Sequence, residues 1–122
     1  MPADIQAQVQ GAVDPREAAQ FAAIAESWWD PDGPFRPLHR LNPARMRFVM
    51  NAVQENFGVA EGPHALNGMT AVDIGCGGGL ISEPLARLGA DVTGLDVTEE
   101  NLGVARAHAA DSGLTIDYRL ET

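Results

Sequence analysis

MTAVDIGCGGGL, residues 69–80, is the stretch from which the fold can be read. A β-rich run from Met69 to Ile74 ends at Gly75, and LISEPLARLG follows as a short helix stopped by Gly89. Working outward, DVTGLD reads as a second strand ending in Asp96. Thr98 caps a helix, EENLGVARAHAADSG, that places Leu102, Ala105 and Ala109 on one face and stops at Gly113. LTIDYRL then alternates apolar Leu114, Ile116, Tyr118 and Leu120 with polar neighbours, as a third strand does. Strand–helix–strand–helix–strand is the grammar of a parallel, doubly wound α/β sheet. Three strands make about half of such a sheet. The expectation is a fragment whose other half lies downstream, where the catalytic group could sit.

The loop between the first strand and its helix is where an open α/β sheet binds ligands. The dinucleotide pattern G-x-G-x-x-G/A fails, because its sixth position counted from Gly75 is Leu80. That weighs against an oxidoreductase, the main competing reading. No G-K-S/T occurs, so the Walker loop is absent as well. What fits is D-x-G-x-G-x-G at Asp73, Gly75, Gly77 and Gly79. An acid directly before the loop attracts an ammonium, while helix N-terminal amides suit a carboxylate. An amine-bearing ligand therefore fits better than a pyrophosphate. Asp96, about 20 residues beyond the loop, stands where a carboxylate accepts both hydroxyls of a ribose. Val97 beside it is placed to lie against an adenine face.

The first 67 residues have a different character. Residues 1–13 show weak periodicity and read as a flexible N-terminus. Residues 14–67 read as a helical prefix and linker. A first helix starts at Asp14, Pro15 and Glu17 and carries Ala18, Phe21, Ala22, Ala25 and Trp28 on one face. Pro31, Gly33, Pro34 and Pro37 end it in a stiff loop. A second helix is expected from Asn42 as cap and Pro43 at the first position. Its apolar stripe is Met46, Val49, Met50, Val53 and Phe57, and Gly58 is its stop. Residues 68–122 form the sheet domain.

Composition sets outer bounds. The formal net charge is −9, which argues against a nucleic-acid partner. All eight cations are arginine, and four of them fall between Arg36 and Arg47. Every fixed cation can thus make the forked contact to a carboxylate or phosphate. Cys76, the one cysteine, permits no intrachain disulfide and fits a reducing compartment. It reads as a small packing residue in the loop. No run approaches the ~20 apolar residues of a membrane span, and the N-terminus lacks a secretory or transit pattern. The expectation is a soluble cytoplasmic chain.

VDIGCGGG and VTGLD resemble the two cofactor motifs of class I S-adenosylmethionine-dependent methyltransferases. That resemblance implies a Rossmann-like sheet, here its first three parallel strands preceded by a two-helix segment. It implies that Gly75, Gly77 and Gly79 approach the methionyl and adenosyl parts. Asp73 would orient the amine through water, and Asp96 would hold the ribose. The prefix FAAIAESWWDPDGPFRPLHRLNPARMRF resembles, more narrowly, the ubiquinone-biosynthesis O-methyltransferases. The shared residues are Trp28, Trp29, Asp30, Gly33, Arg36, Pro37, Leu38, His39, Arg40, Leu41, Asn42, Pro43 and Arg45.

That family methylates phenolic hydroxyls of polyprenylated coenzyme Q precursors with S-adenosylmethionine. Arg45 is implied as a cofactor residue, its guanidinium suiting the methionyl carboxylate; the alternative is an ion pair with one of the many acids. His39 is either a base for the phenol or a structural histidine. The tryptophans either pack the prefix onto the sheet or lid the cofactor. The resemblance also implies a polyprenylated phenol or catechol substrate, peripheral contact with the inner membrane, and association with other ubiquinone-biosynthesis proteins. A general base or a metal such as magnesium would have to help remove the phenol proton. No base or metal cluster stands out in the sequence, so the catalytic residue is unassigned. Two alternatives stay open: a methyltransferase acting on another small phenol or acid, and, for this chain alone, a catalytically incomplete binding module.

Overall fold

The computed structural model describes Arg16 and residues 27–121. The flexible N-terminus expected over residues 1–13, and all of the helix expected from Asp14 except Arg16 and its end at Trp28, lie outside the described residues. Trp28 itself sits in a 3-10 turn, Ser27–Trp29. A loop leads into α1, Arg36–Phe57; then follow β1, Thr70–Ile74; α2, Ser82–Arg87; β2, Asp91–Asp96; α3, Glu99–Asp111; and β3, Asp117–Leu120. The three strands form one parallel sheet in the order β1-β2-β3. Thr70 pairs with Asp91 and Ile74 with Leu95 across β1 and β2, and Thr93 with Asp117 across β2 and β3. This register brings the ends of β1 and β2 level at the glycine loop. The expected α/β architecture is therefore present.

The start of α1 differs from expectation. The helix begins at Arg36, not Asn42, so Pro43 lies inside it and Pro37 occupies the first turn. Proline is tolerated in a first turn because the N–H there has no intrahelical partner. The loop supplies the entry: Arg36 N donates to Gly33 O at 3.1 Å and His39 N to Phe35 O at 3.1 Å. Asn42 does not cap. Its amide reaches 38 residues along the chain and donates to Leu80 O at 2.7 Å, tying α1 to the glycine loop. That tie, and the packing of Met46, Val49, Met50 and Val53, hold the helix through Pro43. Gly58 ends α1 in the left-handed conformation, as expected. Phe57 departs from the expected stripe and is exposed.

Two apolar clusters sit against the sheet. Leu66, Leu85, Ala90 and Val92 pack with Met46, Val49, Met50 and Val53 of α1. Cys76, Leu102, Ala105, Ala109 and Tyr118 form the second, with α3 covering β3. Ile116 touches both. The third strand is shorter than expected, and Leu120 is exposed, so the alternation fails at its end. Val72 and Ile74 on β1 are also exposed. Among the described residues, one face of β1 is uncovered.

Leu102 is fully buried between α3 and the sheet. Leu102→Ala should lower unfolding free energy by about 2–5 kcal/mol, read as a shifted urea midpoint with little change in slope.

Candidate cofactor site

The loop after β1 is held by the neighbouring strand. Gly75 N and Cys76 N both donate to Leu95 O of β2, at 2.8 and 2.9 Å. Each glycine of the loop then faces something different. Gly75, at φ 72°, has nothing within 4 Å of where a Cβ would stand. Gly77, at φ 55°, and Gly78 lie under the Trp28 indole: a Cβ on Gly77 would come within 2.7 Å of the ring and one on Gly78 within 2.6 Å. Gly79 faces the Tyr118 hydroxyl. At Gly77 the glycine is required twice over, by its positive φ and by the ring above it. Of the three glycines expected to approach a ligand, Gly75 opens to free space, and Gly77 and Gly79 meet side chains of the chain itself.

Trp28 and Trp29 fasten the prefix over this loop. The Trp28 ring stacks on Phe35 with centroids 3.7 Å apart, and its indole N–H donates to Asn101 Oδ1 at 2.9 Å. The Trp29 indole donates to Gly78 O at 2.9 Å and stacks on His108, rings 3.6 Å apart and 2° from parallel. His39 Nε2 lies 2.7 Å from Trp28 O. A carbonyl only accepts, so Nε2 carries the proton and donates. His39 is thereby a brace for the tryptophan turn.

Beneath this strap a cleft of about 240 Å³ is lined by Trp28, Leu38, Arg45, Asp73, Gly75, Cys76, Leu80 and Ile81. Arg45 and Asp73 are brought together there, with the open side of Gly75. Arg45 is exposed; among the described residues its guanidinium makes a long 3.5 Å contact to Asn42 Oδ1. None of the ion pairs among the described residues uses it. Asp73 accepts a 2.7 Å hydrogen bond from Ser82 Oγ. Burial raises its pKa above the ordinary 3.8, and the Ser82 bond and the Arg45 charge offset part of that rise.

Asp96 stands apart from the cleft, at the end of β2 and only 9% exposed. Its Oδ1 accepts from Gly77 N at 3.1 Å, and its Oδ2 from Thr98 N at 3.1 Å and Asn101 Nδ2 at 3.3 Å. Val97 next to it is 68% exposed. Among the described residues no three His, Cys, Asp or Glu side chains converge as metal ligands.

Sequence reasoning missed three groups. Asn101 links Trp28 to Asp96. Asn42 links α1 to the loop. Glu83, fully buried, accepts from Arg87 at 3.0 Å and meets His108 Nδ1 at 2.5 Å. The Glu83–Arg87 spacing of four was readable as a helix pair. Asn101 lies five residues from Asp96, but the contacts to Trp28, Leu80 and His108 span 73, 38 and 25 residues and leave no local signal.

The chain is similar to known methyltransferases. The family described as "Methyltransferase domain" matches residues 71–122. A ubiquinone biosynthesis O-methyltransferase of Sinorhizobium fredii is 52% identical over 111 residues, 90% of this chain and 45% of that protein. One from Ruegeria sp. is 53% identical over 121 residues, 97% of this chain and 48% of that protein. By sequence the chain is similar to ubiquinone biosynthesis O-methyltransferases. It spans about half the length of the curated relatives it matches. In fold it resembles an S-adenosylmethionine-dependent methyltransferase from Clostridium acetobutylicum, with a TM-score of 0.53 and 18% identity over 86% of this chain and 37% of the other. The WWDPDGPFRPLHRLNPAR tract, which carried the narrower resemblance, supplies in this chain the strap that covers the glycine loop.

Burial, then the nearby charges of Asp73 and Asp96, push the Cys76 thiol up to about 12 from its ordinary 9.0, and burial also raises Tyr118 above 10.0. Both groups hold their protons more tightly folded than unfolded. Stability should therefore be intact below about pH 9 and fall as pH rises toward 12. In the same protein, Cys76 should resist iodoacetamide at pH 8 and react fully once denaturant is added, by mass spectrometry.

Proposed function

We propose that this chain carries the cofactor-binding part of an S-adenosylmethionine-dependent O-methyltransferase acting on phenolic hydroxyls of polyprenylated ubiquinone precursors. The observation that carries this reading is the placement of two polar sites at neighbouring strand ends. Arg45 and Asp73 face the cleft at the open side of Gly75, and Asp96 stands at the next strand end.

The residues fit the group. The Arg45 guanidinium suits an α-carboxylate and the Asp73 carboxylate an α-ammonium, so one zwitterionic end is matched by two charges of opposite sign. The bare backbone at Gly75 admits close approach. Asp96 offers a carboxylate to a ribose, and exposed Val97 an apolar surface to a base. Burial makes the Asp73 charge costly, and an ammonium beside it offsets that cost. Gly77 and Gly79 serve the site indirectly, by letting Trp28 and Tyr118 pack against the loop. When bound, S-adenosylmethionine supplies an electrophilic methyl on a sulfonium. The chain's own part is to bind and orient: effective alignment contributes much of the acceleration in a transfer of this kind. Trp28 and Leu38 line the cleft beside Arg45 and Asp73.

A membrane-resident substrate calls for access to a lipid surface. No helix of the described residues is long and apolar enough to cross a membrane. The outer side of α1 supports peripheral contact: Leu41 and Phe48 are exposed there, seven residues apart, and Arg36, Arg40 and Arg47 are exposed around them. Apolar anchors flanked by cations suit an anionic bilayer surface despite the net charge of −9.

Calorimetry with S-adenosylhomocysteine tests the site. Binding by the unsubstituted protein should weaken roughly 10-fold or more in Asp96→Ala, the scale of hydrogen bonds to a charged group, and also in Arg45→Ala. Unchanged affinity in Asp96→Ala would remove the ribose assignment. Methyl transfer to a prenylated catechol, and not to simple phenols, is the expected substrate preference.

A further inference from the structure

The hydrogen bonds already made by Asp96 limit what it can accept next. An ionised carboxylate offers about four acceptor positions. Three are taken, by Gly77 N, Thr98 N and Asn101 Nδ2. A ribose presents two vicinal hydroxyls, and with all three donors in place there is room for one.

The three donors are not equally free to leave. Gly77 N belongs to a loop pinned to β2 through Gly75 N and Cys76 N. Thr98 N precedes the first turn of α3. Neither can withdraw without unwinding backbone. Asn101 is a side chain, and its bond is the longest of the three at 3.3 Å. Its amide orientation is set from both sides. The indole of Trp28 can only donate, so it takes Oδ1; the carboxylate can only accept, so it takes Nδ2.

The cleft tells the same story from the other end. It reaches Arg45, Asp73 and Gly75 but not Asp96, and its 240 Å³ falls short of the roughly 300–1,000 Å³ of sites that enclose a whole ligand. Trp28 lies between the two halves, on Gly77 and Gly78.

We propose that Asn101 is a positioning residue for the nucleoside half of the site. It fills the acceptor position on Asp96 that the second ribose hydroxyl takes. When that hydroxyl displaces it, the hold of Asn101 on the Trp28 indole is released and the strap loosens over Gly77 and Gly78. Cofactor entry and strap position are thereby one exchange of hydrogen bonds. The proposal rests on the cofactor reading given above.

The count of acceptor positions predicts a sign that a merely structural asparagine does not. Removing the competing donor frees a position, so Asn101→Ala should bind S-adenosylhomocysteine about fivefold tighter, the worth of one ordinary hydrogen bond. The 2′-deoxyribosyl analogue needs one position only, so its affinity should stay unchanged in Asn101→Ala. Trp28→Phe keeps a ring on the glycines and removes the N–H that orients Asn101. It should shift affinity in the same direction, and the double variant should gain no more than the larger single. In a Trp29→Phe background Trp28 is the one remaining tryptophan. Its emission should move to longer wavelength with S-adenosylhomocysteine and much less with the deoxy analogue. Weaker or unchanged binding of S-adenosylhomocysteine in both Asn101→Ala and Trp28→Phe overturns the proposal, as does an equal change for both ligands. If the unsubstituted protein binds neither ligand, the cofactor reading falls and takes this proposal with it. If it binds both and the variants show no selectivity, the proposal falls alone.

Discussion

The Trp28 indole lies on the bare backbone of Gly77 and Gly78 and carries the Phe35 ring on its other face. A side chain at either glycine would occupy the space of the ring. The contact therefore constrains the loop and the strap together. It explains a glycine that the ligand alone does not: Gly78 has an ordinary φ and is not part of the D-x-G-x-G-x-G series, yet it is the residue on which both tryptophans converge, one by ring contact and one by hydrogen bond. An aromatic plane buries much apolar area with few torsions to freeze. That makes it an efficient way to attach an irregular segment, rich in proline and poor in backbone ladder bonds, to a sheet.

The second attachment is polar, and it has a different logic. Glu83 is fully buried in the first turn of α2. A buried carboxylate is costly unless its oxygens are satisfied. Arg87 takes Oε1 and His108 of α3 takes Oε2, and the same imidazole is the platform for Trp29. One carboxylate thus links α2, α3 and the strap. Loss of a partner here would leave a charge uncompensated in the interior. The cluster fixes where α3 sits along the sheet, and with it the placement of Asn101 and Ala105 on that helix.

The sheet was legible because its signals are local. The strand order, the glycine at each turn and the α3 face of Leu102, Ala105 and Ala109 each rest on local pattern, and the structure has them where that pattern puts them. The motif residues Asp73, Gly75 and Asp96 were legible for the same reason. The start of α1 was not. Asn42-Pro43 has the chemistry of a helix start, and a competing start at Pro37 lies six residues earlier. Tertiary contacts decide between them: the Asn42 amide is drawn to Leu80 O, so it is not available as a cap. The exposed ends, Phe57 and Leu120, misled a pattern that counts apolar residues without knowing what covers them. Asn101 was invisible in sequence because its meaning depends on a tryptophan 73 residues away.

The distribution of charge bears on how a small zwitterion would be oriented. The chain is acidic as a whole, but α1 carries Arg36, Arg40, Arg45 and Arg47 against a single acid, Glu55. Arg45 is exposed, so solvent and salt screen its attraction. Asp73 is partly buried, in a medium where charges interact more strongly, and its raised pKa is the mark of that medium. The two ends of a zwitterion would therefore be held unequally. The exposed guanidinium would draw in and align a carboxylate; the sheltered carboxylate would supply the larger share of the hold, because an ammonium would relieve an unfavourable charge that is present beforehand. Arginine suits the outer position, since its fork keeps direction even where its charge is screened. A lysine at that position would provide charge without the planar alignment. The polarity of the cleft follows: the more sheltered contact sits against the glycine loop, next to the strand ends, where the reacting end of a bound ligand would have to be kept in register.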